Sequence, residues 1–301
     1  MNTIFIAEPK EISQSAIDLL VGAGYKVVTD LKGFDLTTIC GLFVRTYTQV
    51  DKDYLEQFPN LKFVLRAGVG LDNIDLAECK RRNIQVFNSP GANSDAVAEY
   101  VLTMSLYAIR GIGPQITKVK HGDWRSVEHV GRSLGSVTFG LVGCGHAGRA
   151  LATKLQSLGV ACLGYDPYVT ADTLAPLGVT KVELVELLAR SDMVVIMLPL
   201  TKETIGIMDA DKLGQMKVGS TLINVSRGEM IDETALIKEL NSGRLHTAIL
   251  DVVVGEPTVN PDLLNTPNII ITPHIAGYTK QANENIAVMA VQNLLTTRLQ
   301  E

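Results

Sequence analysis

The chain predicts an α/β protein of two doubly wound, parallel-sheet domains, and three observations carry that reading. Short apolar runs alternate with helix-patterned stretches through both parts of the 301 residues, the order that builds βαβ units. Several runs of the second part are apolar on both faces, as strands buried between two helix layers are. A glycine-rich turn near residue 143 lies between one such run and a helical stretch, the place where sheets of this kind hold ligands.

The first series runs from residue 3 to about 88. Its strands are "TIFIA", "YKVV", "GLFVR", "LKFVLR" and "IQVF", separated by the helical stretches "ISQSAIDLLVGAG", "DKDYLEQFPN" and "DNIDLAECKRRN". "ANSDAVAEYVLTMSLYAIRGI" then reads as a long helix with Ser94 or Asp95 as its N-cap. The second series has the strands "VTFGLV", "ACLGYD", "MVVIMLP", "STLINVS", "HTAILDV" and "NIIITP". Ile286, Met289, Ala290 and Leu294 recur at helical spacing near the C-terminus. With no Gly/Ser linker, repeat or low-complexity tract, the joints between domains fall in helices. The expected division is residues 1–97 with 283–301, and residues 98–282, with ligand bound in the cleft between domains.

Bulk composition excludes several classes. The formal charge is −5 and hydrophobic residues make up 46%, so no global positive field gathers nucleic acid or anionic membrane. "MNTIFIAEPKEIS" lacks the basic start and long apolar core of a signal peptide, and no apolar stretch is long enough to span a bilayer. The four cysteines, Cys40, Cys79, Cys144 and Cys162, show no metal-ligand spacing and read as reduced thiols. The expectation is a cytoplasmic protein without a metal, nucleic-acid or membrane partner.

"VTFGLVGCGHAGRALATKL" carries the most specific local signal. Gly143, Gly145 and Gly148 form G-x-G-x-x-G between strand and helix, and the next strand ends in Asp166. In a Rossmann-type unit the first glycine makes the tight turn, the second admits the pyrophosphate, and the third packs helix on strand. Backbone N–H groups of His146 and Ala147 face the diphosphate at the helix start. An acid at this distance holds a ribose 2′-hydroxyl and repels a 2′-phosphate, so the expected cofactor is NAD rather than NADP. Leu198 and Val225 complete the cofactor-binding set with Asp251.

Reactive side chains follow the strands of this second series. "STLINVSRG" delivers Arg227, "HTAILDVVVGEP" delivers Asp251 and Glu256, and "NIIITPHIAG" delivers His274. Each alone has a structural explanation, an ion pair or a loop histidine; at one rim they form a constellation. The roles expected in hydride chemistry are these: His274 is to take the hydroxyl proton as hydride leaves the same carbon. Glu256 binds the other ring nitrogen and favours imidazolium. Arg227 grips a carboxylate and polarises a keto oxygen, and Asp251 orients the cofactor carboxamide. His121, His129 and His246 have no such company and read as surface residues.

In order, "RAGVGLDNID", "GANSDAVAEY", "GDW", "GLVGCGHAG", "GYDP", "PLTKET", "INVSRG", "DETALIKEL", "LDVVVGEP" and "TPHIAG" resemble the D-2-hydroxyacid dehydrogenase family over nearly the whole chain. The family's Arg, Glu and His set falls on Arg227, Glu256 and His274. The resemblance implies a discontinuous, flavodoxin-like substrate domain made of both chain ends, a Rossmann NAD-binding domain, and a homodimer, or a tetramer, formed largely through the latter. Among members the chain is most similar to D-3-phosphoglycerate dehydrogenases. Arg45 and Arg66, at strand ends of the first series, suit a substrate phosphate. Val69 and Gly70 offer N–H groups to a carboxylate, and Asn93 touches substrate by resemblance.

Two departures stand out. Met197 occupies a position where members often carry His, and "HIAGYT" replaces the small-residue run that follows the histidine in phosphoglycerate enzymes. The chain ends soon after the closing helix, so no C-terminal regulatory domain and no serine feedback through one are expected. The expected reaction is oxidation of a small D-2-hydroxy acid, with D-3-phosphoglycerate first. The alternatives are reduction of glyoxylate or hydroxypyruvate, and an NAD-sensing, corepressor-like binding role.

Overall fold

A computed structural model describes residues 2–124 and 130–298, so His129 lies outside the described residues. The chain divides into two units, Met1–Asn93 with Tyr278–Glu301, and Ser94–Gly277. Among the described residues the strands form two sheets, and every pairing is parallel.

The first unit contains β1 (Thr3–Ile6), α1 (Gln14–Gly22), β2 (Lys26–Val28), β3 (Ile39–Val44), α2 (Lys52–Glu56), β4 (Phe63–Arg66), α3 (Leu76–Arg81) and β5 (Gln85–Phe87). The sheet order is β2-β1-β3-β4-β5, the flavodoxin-like order. All six residues of the central β3 are buried, because both of its faces are covered. Ala16 and Leu20 of α1 pack one face; Leu55 of α2, Phe58 and Cys79 of α3 pack the other. Aspartates start the short helices: Asp51 accepts from the Tyr54 N–H and Asp75 from the Glu78 N–H, satisfying donors the helix leaves open.

The second unit opens with α4 (Ser94–Ile109) and α5 (Ile112–Lys120). Ser94 and Asp95 lie inside the first turn of α4 rather than preceding it as caps. There follow β6 (Thr138–Val142), α6 (His146–Ser157), β7 (Ala161–Tyr165), α7 (Ala171–Leu174), β8 (Val179–Lys181), α8 (Leu184–Arg190) and β9 (Met193–Ile196). The unit closes with α9 (Ala210–Gln215), β10 (Thr221–Asn224), α10 (Glu233–Asn241), β11 (Thr247–Leu250), α11 (Pro261–Leu264) and β12 (Ile269–Ile271).

The second sheet runs β12-β11-β10-β9-β6-β7-β8, the doubly wound dinucleotide-binding order with one further strand. Strand direction of growth reverses between β6 and β9, so the loops after these two strands meet at the switch point. β8 is absent from the sequence reading. It is a three-residue edge strand, Val-Thr-Lys, too short and polar to stand out as an apolar run.

The chain then returns to the first unit as α12 (Lys280–Arg298). The Thr279 hydroxyl accepts from the Ala282 N–H and starts the helix. Ile286, Ala290, Val291 and Leu294 are buried with α1 and the sheet; fully burying each of the larger three contributes roughly 1.5–3 kcal/mol. Ser89 donates to the Ile286 carbonyl at 2.5 Å and Asn293 to the Asn88 carbonyl at 2.9 Å. The division at 93/94 and 277/278 precedes the expected 97/98 and 282/283, because α4 and α12 each pack whole into one unit. Among the described residues no helix is long and apolar enough to cross a membrane, and no cluster of His, Cys, Asp or Glu could hold a metal ion.

Candidate active site

The glycine loop divides its work among three residues. Gly143 has φ +105°, where an L side chain is strained, and a Cβ there would lie 2.8 Å from the Met197 carbonyl group. The loops after β6 and β9 therefore touch backbone to backbone. A Cβ on Gly148 would lie 2.3 Å from the Gly143 oxygen, so α6 packs directly on the loop. Gly145 differs: a Cβ would meet nothing within 4 Å. Its open side, at the start of α6, is where a diphosphate can approach backbone N–H groups. His146 is exposed and Ala147 half-buried in that first turn.

Asp166 follows β7 and is 7% exposed. Its Oδ2 accepts from the Cys144 N–H and its Oδ1 from the Tyr168 N–H, both at 2.9 Å. The carboxylate ties the glycine loop to the neighbouring strand end and keeps further lone pairs for a ribose hydroxyl. Burial, then the Asp166 charge, pushes the Cys144 thiol up to about 12, which keeps it protonated and unreactive. Leu198 is buried after β9, and its carbonyl accepts from the Ser226 hydroxyl. Val225 is half-buried after β10. This donor set, with an open backbone cradle and an acid beyond it, fits a dinucleotide without a 2′-phosphate.

The reactive set sits at the ends of the other strands. Arg227 follows β10 and is half-buried; the Asn224 side chain donates to its carbonyl at 2.8 Å, and its Nη1 donates to the Ser226 carbonyl at 2.7 Å. Gly228 next to it is obligatory, since a Cβ would fall 2.1 Å from the Val253 carbonyl carbon. That contact brings the Arg227 loop against the loop leading to Glu256. Glu233 of α10 steadies the same loop by accepting from the Val254 N–H at 3.0 Å.

Glu256 Oε1 lies 2.6 Å from His274 Nδ1, and both side chains stay over a third exposed. Burial pushes the Glu256 carboxyl up, but the hydrogen bond and charge of His274, a backbone bond at Val253 and the Arg227 charge leave it below the usual carboxylate range. An ionised carboxylate only accepts, so Nδ1 is the donor of this contact and Nε2 is the nitrogen left to exchange a proton.

His274 has φ +54°, a conformation that histidine adopts more readily than most residues but still strained. Asp251 holds it there. Its carbonyl accepts from the His274 N–H at 2.9 Å. Its carboxylate, 1% exposed, accepts from Thr272 Oγ1 at 2.6 Å and from the N–H groups of Ile275 and Ala276 at 2.8 and 2.7 Å. The sequence reading missed Tyr100 of α4, whose hydroxyl lies 2.5 Å from Thr272 Oγ1. No spacing rule signals it. His121 and His246 are exposed; the first follows α5, and the second precedes β11 at the opposite end of that strand.

Within the first unit, Arg66 closes β4 and is half-buried. Its guanidinium lies over Gly68, where a Cβ would fall 1.0 Å from Nη1. Val69 is exposed and Gly70 half-buried in the turn that follows. The turn is clamped from β5: Asn88 donates to the Val69 carbonyl at 2.7 Å and the Ser89 N–H to the Gly68 carbonyl at 2.9 Å. Asn93 is half-buried at the end of the unit. Arg45 is only 7% exposed. It donates to Asn283 Oδ1 at 2.7 Å and to the Glu11 carbonyl at 3.1 Å, pairs with the Glu11 carboxylate at 3.5 Å, and stacks on Tyr278. Sequence spacing cannot show these partners.

Residues 102–276 match the family described as D-isomer specific 2-hydroxyacid dehydrogenase, NAD binding domain. The chain is similar to D-3-phosphoglycerate dehydrogenase of Archaeoglobus fulgidus, 35% identical over 300 residues, covering 97% of this chain and 56% of that protein. It thus spans about half the length of the D-3-phosphoglycerate dehydrogenases it matches. It is also similar to (S)-sulfolactate dehydrogenase of Chromohalobacter salexigens, 41% identical over 255 residues, covering 84% of this chain and 82% of that protein. Among solved structures, D-lactate dehydrogenase from Aquifex aeolicus, complexed with NAD and lactic acid, superposes with a TM-score of 0.84 at 27% identity, covering 99% and 96% of the two chains.

Proposed function

Because the chain belongs to the D-isomer specific 2-hydroxyacid dehydrogenase family, we propose that it interconverts a small D-2-hydroxy acid and its 2-oxo acid with NAD. The observation that carries this reading is the 2.6 Å contact between Glu256 and His274 in the unit that holds the glycine loop. NAD, when bound, would supply a hydride acceptor at its nicotinamide ring. His274 Nε2 takes the hydroxyl proton as the hydride leaves C2, and returns it in the reverse direction. Glu256 fixes the tautomer and compensates the charge that His274 acquires. Arg227 binds the substrate carboxylate and polarises the oxygen on C2. Asp166 sets the preference for NAD over NADP.

The proposed substrate is D-3-phosphoglycerate, oxidised to 3-phosphohydroxypyruvate. The similarity to D-3-phosphoglycerate dehydrogenases supports it, with Arg66 as the cation for the distal anion and the Val69–Gly70 turn for the carboxylate. Asn93 is proposed as a further substrate contact. Arg45 serves the same anion only by exchanging Glu11 and Asn283 for it. A second reading, (S)-sulfolactate, is favoured by the relative that matches this chain over most of its own length. Both acids carry a second anionic group on C3. A homodimer through the second unit is also proposed. Its support is the exposed apolar face of α5, Ile112, Ile116 and Val119, continued by Trp124 at 79% exposure.

The test is NADH oxidation with 3-phosphohydroxypyruvate, 3-sulfopyruvate, hydroxypyruvate, glyoxylate and pyruvate, with NADPH in parallel. The proposal expects NADH-dependent turnover with preference for an acid that bears a C3 anion. Preference for glyoxylate, hydroxypyruvate or pyruvate would overturn the substrate assignment and keep the chemistry.

A further inference from the structure

His274 occupies a strained backbone conformation, and the group that holds it, Asp251, is buried and receives its hydrogen bonds from neutral donors: one hydroxyl and two backbone N–H groups. Thr272 Oγ1 has one proton, and it is committed to Asp251 Oδ1 at 2.6 Å. The second contact of that oxygen, to the Tyr100 hydroxyl at 2.5 Å, therefore has Tyr100 as donor. The result is a directed chain from α4 to the histidine loop: Tyr100 donates to Thr272, Thr272 donates to Asp251, and Asp251 accepts from the N–H groups of His274 itself and of Ile275 and Ala276 just after it.

We propose that Tyr100 is a positioning residue for His274, acting through Thr272 and Asp251; the claim rests on His274 being the acid–base group of the proposed reaction. A hydrogen bond donated to Thr272 polarises its hydroxyl and strengthens the bond it donates onward. It also fixes the rotamer of Thr272, two residues before His274. Burial, partly offset by the bond to Thr272 and reinforced by the Asp251 charge, pushes the Tyr100 phenol up to about 12. The phenol therefore stays a donor throughout the neutral range. α4 packs against α6, the helix that starts at the glycine loop, so one helix braces both the cofactor cradle and the proton-transfer group. The Tyr100 hydroxyl bonds to Thr272 and the His274 imidazole to Glu256, so Tyr100 acts on the imidazole through intermediaries.

The experiment compares Tyr100→Phe, Thr272→Val, Thr272→Ser and the Tyr100→Phe/Thr272→Val double variant, with Tyr107→Phe on the same helix as control. Tyr100→Phe is expected to lower kcat about tenfold, the factor one lost hydrogen bond carries, with both KM values within about twofold. Thr272→Ser, which keeps the hydroxyl, retains kcat. The double variant loses no more than Thr272→Val alone, because the two groups act in series. A second readout needs no turnover: the imidazole ¹H–¹⁵N correlations of His274 in cofactor-free protein, assigned by their loss in His274→Gln. They shift or broaden in Tyr100→Phe and Thr272→Val and stay in place in Tyr107→Phe. Unchanged His274 signals, an unchanged kcat in Tyr100→Phe, or losses that multiply in the double variant would overturn the proposal. Wild-type protein inactive on every acid would instead sink the functional reading, while the His274 signals would still decide this one.

Discussion

The carboxylate of Glu256 sits 2.6 Å from Nδ1 of His274 although the two residues lie 18 positions apart on different loops. The pair leaves Nε2 as the proton-exchanging nitrogen, and its consequences can be separated by substitution. His274→Gln is expected to lower kcat by about 10²–10⁴, the range of a lost general acid–base group. Glu256→Gln lowers it less, because the amide still accepts from Nδ1–H but cannot balance an imidazolium charge. Steady-state kinetics of the two variants check this ordering.

The pH dependence follows from the same pair. The Glu256 carboxyl is held below the usual carboxylate range, so in the folded enzyme it stays ionised until pH falls through that lowered value. Wild-type kcat should therefore keep its Glu256-dependent component well into mildly acidic buffer. In Glu256→Gln the acidic limb assigned to this carboxyl disappears. A pH–rate profile of both proteins measures it.

The glycine loop predicts that stability and cofactor affinity come apart. Gly148→Ala forces a Cβ against the Gly143 oxygen and is expected to destabilise the protein by about 1–3 kcal/mol. Gly145→Ala meets no protein atom and has an ordinary φ of −72°. Its thermal midpoint should stay within about 3 °C of wild type, while NADH binding weakens at least about tenfold, or ~1.4 kcal/mol. Calorimetry and fluorescence titration of NADH distinguish the two.

Asp166 is the proposed barrier to a 2′-phosphate. Asp166→Asn removes the negative charge and keeps one acceptor oxygen, enough for one of the two N–H groups, of Cys144 and Tyr168, that the carboxylate now serves with separate oxygens. The ratio of kcat/KM with NADH to that with NADPH should fall by at least about tenfold, a single charge–charge repulsion in a partly buried site being worth more than 1 kcal/mol. An unchanged ratio would remove Asp166 from cofactor selection.

Arg45 and Arg66 should give different phenotypes. Arg45, itself buried, is tied to Glu11, Asn283 and Tyr278, so Arg45→Ala is expected to reduce stability by about 1–3 kcal/mol through its lost packing and the half-buried Glu11 and Asn283 left without their partner. Arg66→Ala should instead raise KM for the C3-anionic acid relative to hydroxypyruvate, with little change in kcat. Denaturant unfolding and a two-substrate KM comparison test the pair.

Much of this arrangement is legible in sequence because a parallel sheet puts all its strand ends at one edge. That rule places Asp166, Arg227, Asp251 and His274 from apolar runs alone, and the glycine loop from its position between strand and helix. What pattern cannot show is contact across long separations. Tyr100 meets Thr272 over 172 positions and Arg45 meets Asn283 over 238, and neither pairing leaves a local signature. Asp251 illustrates the same gap: its strand-end position is readable, whereas its grip on the His274 loop exists only in the folded chain. β8 escapes because three edge residues with Thr and Lys form no apolar run.

The most direct test of the central claim follows the hydride itself. The protein is incubated with NADH dideuterated at C4 of the nicotinamide and 3-phosphohydroxypyruvate or 3-sulfopyruvate, and the product is analysed by mass spectrometry and chiral chromatography. The account predicts a single deuterium at C2 of a product of D-type configuration, formed by wild type and suppressed by at least about 10²-fold in His274→Gln. Protein that binds NADH yet transfers no deuterium to either acid or to the three unphosphorylated ones, or that transfers it equally well without His274, would contradict it.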